Sequence, residues 1–128
     1  MSDEQLSEIA NKLIVFCRDD NTIEGLDTLY SDDAVSVEAA IMPGKDSPQT
    51  KGLDGIRGKH EWWYNAMEVH SSTTEGPFLH GSDRFGVIFD FDATDKESKE
   101  RVTMKELAIY TVKDGKIIRE EFFYNTWQ

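Results

Sequence analysis

The sequence has 128 residues, 38% of them hydrophobic, and a formal net charge of −11 from 14 basic and 25 acidic side chains. This length fits a single domain over residues 1–128, and 7 Phe, 4 Tyr and 3 Trp provide enough aromatic area to argue against disorder. The acidic excess, with no cluster of Lys and Arg, excludes a nucleic-acid partner and binding to an anionic membrane surface.

Two helices are predicted at the start of the chain. Ser2 followed by Gln5 resembles a capping box, and apolar residues at helical spacing then indicate a helix over residues 3–18. Asn21 resembles a second N-cap and opens a short helix whose apolar side ends at Tyr30. The polar link between the helices is short, so we expect a helical hairpin.

One more helix and a run of strands are predicted for the rest of the chain. A short strand, a loop with two prolines and two glycines, and a third helix follow in order at 34–39, 42–52 and 53–66. Four longer strands come next, at 67–79, 84–92, 102–112 and 117–127. Asp114-Gly115 joins the last two as a hairpin. Helices followed by a meander of strands predict an α+β fold with a mostly antiparallel sheet.

The compartment and the assembly state are predicted from two further features. Cys17 is the only cysteine, and no early apolar run is long enough for a signal peptide or a membrane span, so we predict a cytoplasmic protein. Met104 and Tyr110 alternate with Leu107 and Ile109, which makes both faces of one strand apolar. Since a solvated sheet face would carry polar residues, we predict a homodimer through the sheet.

Three short motifs occur in a characteristic order along the chain. They are residues 29–35 (LYSDDAV) after two helices, residues 52–58 (GLDGIRG) at the start of the third, and the closing hairpin at 110–121. This order resembles the SnoaL-like branch of the nuclear-transport-factor-2-like superfamily, with its polyketide cyclases, ketosteroid isomerases and scytalone dehydratase. The resemblance implies one SnoaL-like domain whose curved sheet forms a cone around a pocket. It implies no single activity, because members include enzymes, binding proteins and assembly modules.

Glu38 is the first candidate for proton transfer. It lies six residues after Asp32, where the ketosteroid isomerases that the chain resembles carry their catalytic Asp. A carboxylate desolvated by aromatic neighbours moves a proton near neutral pH, whereas one at an exposed strand end is merely solvated. Those isomerases also place an oxyanion-binding Tyr on the first helix. This chain has Leu13 and Ile14 there, which argues against steroid isomerisation itself.

Glu106 and His70 are the other acid/base candidates. Glu106 lies in an apolar row, where it either lines the pocket or forms an ion pair at a dimer interface, with Arg101, Lys105 or Arg119 as partner. His70 lies on a predicted strand and is either a proton carrier or an exposed side chain. The histidines match no metal motif, so we predict no metal site.

The remaining predicted binding residues are mostly aromatic. Ligand pockets are largely apolar and contain a few placed polar groups. The side chains that either form a pocket wall or only pack the core are those of Tyr30, His60, Trp63, Phe89 and Tyr110.

Three functions are compatible with these residues. The first is a cofactor-free isomerase, dehydratase or cyclase that uses Glu38 with His70 or Glu106 to move a proton on a small organic molecule. The second is a protein that only binds a small apolar or partly polar ligand. The third is an assembly module whose sheet face serves another chain. A pocket that holds Glu38 with a second titrating group would favour the enzyme.

Overall fold

The computed structural model describes residues 2–42 and 44–125, and its helices pack against one curved sheet. The elements within these residues are α1 (Asp3–Arg18), α2 (Thr22–Leu29), β1 (Tyr30–Val37), β2 (Gln49–Lys51), α3 (Leu53–Ala66), β3 (Met67–His80), β4 (Arg84–Asp95), β5 (Arg101–Lys113) and β6 (Lys116–Phe123). The strand order is β2-β1-β6-β5-β4-β3. Neighbouring strands are antiparallel except β1 and β6, which run parallel. The predicted α+β class and mostly antiparallel sheet are confirmed.

The helix starts follow from local side-chain chemistry. The Ser2 hydroxyl accepts a hydrogen bond from the Gln5 backbone N–H at 3.2 Å, and the Gln5 side chain accepts one from the Ser2 N–H at 2.9 Å. This is the predicted capping box. Asn21 does not cap the α2 backbone, because its side chain donates to the Glu24 carboxylate instead.

The strands around β1 differ from the prediction. The segment 42–52, predicted as a loop, contains β2, which pairs with β1 through Val35 and Lys51. β1 itself begins at Tyr30, directly after α2, because its first residue already pairs with Ile117 of β6. Three residues are too short a run to show strand alternation, and pairing partners far along the chain leave no local signal. The predicted end of the last strand, beyond residue 125, lies outside the described residues.

The core lies between the helices and the concave face of the sheet. Buried apolar side chains from α1, α2 and α3 meet those from β1, β4, β5 and β6, and the cluster includes Leu6, Leu13, Leu26, Ile56, Phe85, Val87, Tyr110 and Ile117. Shifts in register within β3–β4 pairing bend the sheet around the helices. No helix in residues 2–42 and 44–125 is long and apolar enough to cross a membrane.

The outer face of the sheet carries a separate group of apolar side chains. Leu107 on β5 lies opposite Phe123 on β6, and both are substantially exposed, at 39% and 50%. Phe78 on β3, whose partner Gly86 lies on the same face, extends this surface and is also exposed. We call these three residues the outer apolar patch. It is the face on which the sequence predicts a homodimer, and the dimer stays a prediction.

Candidate functional site

A cavity of about 530 Å³ lies between the helices and the concave face of the sheet. Its walls are largely aromatic, with rings from Phe16, Tyr30, Trp62, Trp63, Tyr64, Phe89, Phe91, Tyr110, Phe122 and Tyr124. Trp63 of α3 packs against Phe91 of β4 with 5.5 Å between ring centres, and Phe91 stacks on Phe89 at 6.0 Å. We call these three rings the aromatic wall.

Strand alternation places Glu106 on the aromatic wall. In the β4–β5 pairing Phe89 lies opposite Glu106, and Phe91 lies opposite Met104. Because alternate residues of a strand share a face, Met104, Glu106 and Tyr110 all line the cavity. The predicted apolar row that contains an acid therefore faces the cavity. Neither Arg101 nor Arg119 pairs with it, since they contact Asp92 and Glu121 respectively.

The Glu106 carboxyl has a strongly raised pKa. The pKa rises from 4.5 to about 7: burial is the main cause, the negative charges of Glu38 and Glu120 act in the same direction, and Lys59 partly opposes them. Among residues 2–42 and 44–125, no group forms a hydrogen bond or ion pair with the Glu106 carboxyl. A carboxyl with this pKa exchanges its proton near neutral pH, as an acid/base group requires.

Glu38 lies at the same cavity and is paired. It follows β1 directly, its backbone N–H donates to the Pro48 carbonyl at 2.9 Å, and its carboxylate is 3.2 Å from the Lys59 ammonium of α3. Lys59 also donates to the Ser36 hydroxyl at 2.5 Å and lies 5.0 Å from the centre of the Phe122 ring. Both charged side chains are mostly buried, 16% and 17% exposed. The carboxylate is thus held at the cavity by a fixed cation.

A third carboxylate, Glu120, lies behind the cavity and is completely buried. The Tyr30 hydroxyl donates to one of its oxygens at 2.7 Å, and His60 Nε2 is 3.9 Å from the other. Burial alone would raise the pKa of Glu120, but His60, Lys59 and the Tyr30 hydroxyl together hold it below the ordinary value. The site therefore contains one buried carboxylate kept in its charged form and one, Glu106, that readily takes up a proton.

His60 connects this buried pair to the helices. Its Nδ1 atom is 3.2 Å from the Thr22 hydroxyl, which is 2.8 Å from the Tyr64 hydroxyl. A chain of polar contacts thus runs from Tyr64 through Thr22 to His60, whose other ring nitrogen faces Glu120. These contacts fix the orientation of the imidazole ring, which lines the cavity.

The structure brings together most of the predicted site residues. Glu38 and Glu106 line one cavity with all five predicted wall residues, Tyr30, His60, Trp63, Phe89 and Tyr110. His70 lies elsewhere, on the exposed face of β3. Its ring contacts the Thr94 hydroxyl at 2.7 Å and lies 3.6 Å from the Glu68 carboxylate. The described part of the chain contains no group of three His, Cys, Asp or Glu side chains placed to hold a metal.

The prediction missed two charged residues, Lys59 and Glu120. Lys59 lies at helical spacing between Ile56 and Trp63. A charged residue on the apolar side of α3 is therefore the feature of the sequence that could have identified it as a site residue. Glu120 precedes Phe122 on the same strand face, in the same kind of apolar row as Glu106. Cys17 also lines the cavity, and burial raises the pKa of its thiol to about 12, which makes it a poor nucleophile.

Comparison with known proteins agrees with this architecture. The family model for the SnoaL-like domain matches residues 5–124. A protein from Mesorhizobium loti, named as a candidate SnoaL-like polyketide cyclase, is 37% identical with a TM-score of 0.85, over 93% of this chain and 98% of that one. No curated protein matches the chain.

Two more distant structures share the fold. A candidate isomerase from Bacillus subtilis is 17% identical, with a TM-score of 0.72 over 98% of this chain and 90% of that one. A protein from Catenulispora acidiphila with a ketosteroid isomerase-like fold, solved in complex with trimethylamine, is also 17% identical, with a TM-score of 0.70 over 92% and 85%. At this identity the likeness extends to the fold alone.

Proposed function

The chain belongs to the SnoaL-like domain family, and we propose that it is a cofactor-free isomerase or lyase that moves a proton on a small organic molecule. The observation that supports this proposal most directly is the environment of the Glu106 carboxyl. This carboxyl has a pKa of about 7, is without a protein partner in the described residues, and lies inside a largely aromatic cavity. Such an arrangement suits an acid/base group better than a structural one.

In the proposed mechanism Glu106 takes a proton from a carbon of the bound substrate and returns it at another position or to a leaving group. The C–H electron pair moves toward an adjacent carbonyl, which becomes an enolate, while the Glu106 carboxylate becomes a carboxylic acid. Glu38 and Lys59 form the charged edge of the cavity, and the negative charge of Glu38 keeps Glu106 basic. The walls limit access of water to the enolate.

Tyr110 is the proposed donor to the enolate oxygen. The first-helix Tyr that the ketosteroid isomerases use for this purpose has no counterpart here, because Leu13 lines the corresponding part of the cavity. Tyr110 also lines the cavity, and burial followed by the charge of Glu120 raises its pKa well above 10. The hydroxyl thus keeps its proton and can donate a hydrogen bond, a contribution typically worth a few kcal/mol at the transition state.

Exchange of carbon-bound hydrogen tests the proposal without knowledge of the natural substrate. We would incubate the protein with 2-tetralone in D₂O and follow loss of the α-hydrogens by NMR. We expect the protein to accelerate exchange, and Glu106→Gln to lose about 10²–10⁴-fold of that acceleration. Glu100→Gln, at an exposed position, is the matched control. Equal rates for the protein and Glu106→Gln would overturn the proposal.

A protein that only binds its ligand is the second candidate function, and the ten rings that line the cavity favour it. The small organic ligand of the Catenulispora acidiphila protein supports a pocket of this kind. Binding alone needs no acid/base group, so the two candidates differ in the effect of Glu106→Gln. It would abolish exchange in an enzyme, whereas a pure binding protein has no exchange activity to lose.

A further inference from the structure

We infer that the ligand of this cavity is an organic cation, whose ammonium group lies between the Glu106 carboxylate and the aromatic wall. The inference rests on the proposed function, because it assigns a substrate class to the same site. Four observations lead to it: the charge of the lining, the pairing of each carboxylate, the position of the aromatic wall, and the charge of the whole molecule.

The charge of the lining is predominantly negative. The cavity is lined by three acidic side chains, those of Asp20, Glu38 and Glu106, and by one Lys or Arg side chain, that of Lys59. Glu120 adds a fourth carboxylate next to His60 and Tyr30, which line the cavity. An anionic ligand would enter a poorly solvated space against this charge, where Coulomb repulsion is stronger than in water. The lining therefore selects against anions.

Of the three glutamates at the cavity, Glu38 and Glu120 have a charged or hydrogen-bonding partner within the described residues, and Glu106 has neither. Glu38 contacts Lys59 at 3.2 Å, and Glu120 accepts from Tyr30 at 2.7 Å. Lys59 is itself occupied by Glu38, the Ser36 hydroxyl and the Phe122 ring, so its charge is not free for a bound anion. In the part of the chain that the structure describes, Glu106 has no such partner. A ligand that donates N–H bonds and carries positive charge would provide one.

The aromatic wall is positioned for the same group. Phe89 is the cross-strand neighbour of Glu106, and Phe91 and Trp63 continue from it. Ring faces attract a cation within about 6 Å, most strongly when it is desolvated. An alkylammonium group bound here would place its charge against the carboxylate and its apolar carbon atoms against the rings. One carboxylate oxygen can accept from the ammonium while the other exchanges a proton with carbon.

The net charge of the molecule acts in the same direction. At −11 the protein raises the local concentration of cations and lowers that of anions around the cavity mouth. This long-range contribution decreases with added salt, whereas the contacts with Glu106 and the rings persist.

Three probes that share a benzene ring but differ in charge test the inference at pH 8. They are benzylamine, which is cationic, benzyl alcohol, which is neutral, and benzoate, which is anionic. Trp62 and Trp63 line the cavity, so their fluorescence reports binding of each probe. We expect benzylammonium to bind at least tenfold more tightly than benzyl alcohol, and benzoate more weakly than either. Glu106→Gln should reduce the preference for the cation over the alcohol to less than threefold, while Glu100→Gln leaves it unchanged.

The pH dependence provides a second measurement on the same samples. The groups that face Glu106 are Glu38 and Glu120, which raise its pKa, and Lys59, which lowers it. Below pH 7 the carboxyl holds a proton that the ammonium ion must displace. We therefore expect benzylammonium affinity to fall about tenfold from pH 8 to pH 6, with a proton released on binding, and benzyl alcohol affinity to stay constant.

The inference is overturned if benzyl alcohol binds as tightly as benzylammonium, or if Glu106→Gln leaves the preference unchanged. The proposed function is judged separately, by hydrogen exchange in the neutral ketone 2-tetralone. Cation preference without exchange would leave a cation-binding protein and no enzyme. Exchange without cation preference would leave the enzyme and remove the cation as its substrate class.

Discussion

Glu106 makes the folded state less stable at high pH than at low pH. Its carboxyl titrates near 4.5 when unfolded and at about 7 in the fold, so between these values the folded state holds the extra proton. Stability then falls as the pH rises through this range, by roughly 3 kcal/mol for the full shift. This loss of stability is the cost of keeping an unpaired acid/base group in an apolar cavity. It is a trade-off between the stability of the fold and the function of the site.

We expect Glu106→Gln to stabilise the protein at pH 8 by up to about 3 kcal/mol and to leave its stability at pH 4 almost unchanged. The amide cannot ionise, so the cost of the buried charge disappears. Urea unfolding at the two pH values measures the difference, with Glu100→Gln as the exposed control. The same gain at both pH values would mean that the ionisation of Glu106 is not its source.

We expect the Tyr30 hydroxyl to stabilise the fold because it donates a hydrogen bond to a buried charged group. Tyr30→Phe leaves the Glu120 carboxylate without its 2.7 Å donor, which should cost roughly 1–3 kcal/mol at pH 7. Since the fold lowers the pKa of Glu120, the stability from its charged form is lost as the pH falls through that lowered value. The loss in Tyr30→Phe should therefore shrink in acid.

Tyr64→Phe is the matched comparison for this measurement. Tyr64 is only half-buried, and its hydroxyl contacts the Thr22 hydroxyl and the exposed Asp20 side chain, so we expect a loss of at most about 1 kcal/mol at pH 7. Urea unfolding at pH 7 and pH 3 separates the two variants. Equal losses in both would show that the charge of Glu120 does not depend on Tyr30.

The turns and helices offer a test in which two glycines respond in opposite directions. Gly115 lies between β5 and β6 with φ +79°, after Asp114 with φ +52°, as a tight hairpin turn requires. We expect Gly115→Ala to destabilise by about 1 kcal/mol. Gly58, within α3, has open space where a Cβ would lie, so Gly58→Ala should stabilise by roughly 0.5–1 kcal/mol. Thermal unfolding of both variants checks the pair, and a shift of equal sign would contradict it.

The elements that could be predicted from the sequence are those whose signal is local. The capping box of α1, the apolar side of α3 and the Asp114-Gly115 turn depend on residues within a few positions of each other, and the structure contains all three. β2 could not be predicted because its three residues exist as a strand only through pairing with β1. In the site, the acid in the apolar row of β5 was recognisable. The Tyr30–Glu120 pair was not, since 90 residues separate its members.

At the scale of the whole molecule, the outer apolar patch is the predicted interface of the homodimer. We expect sedimentation equilibrium to give twice 14.6 kDa for the protein and 14.6 kDa for Leu107→Lys, because the new charge would be buried without a partner. Val15→Lys, on an exposed apolar residue of α1, should remain dimeric. A mass of 14.6 kDa for the unmodified protein would rule out the dimer.

The parallel pairing of β1 with β6 affects the order in which the molecule can assemble during synthesis. β6 lies between β1 and β5, so the strand that Glu38 follows and the strand that carries Glu106 belong to one sheet only after residues 116–123 are available. Until these residues leave the ribosome, the two acids are not joined through one sheet. Contacts over such distances form late and slowly. We therefore expect a ribosome-bound chain that ends before β6 to have no complete ligand-binding cavity, although α1 can already pack against β3.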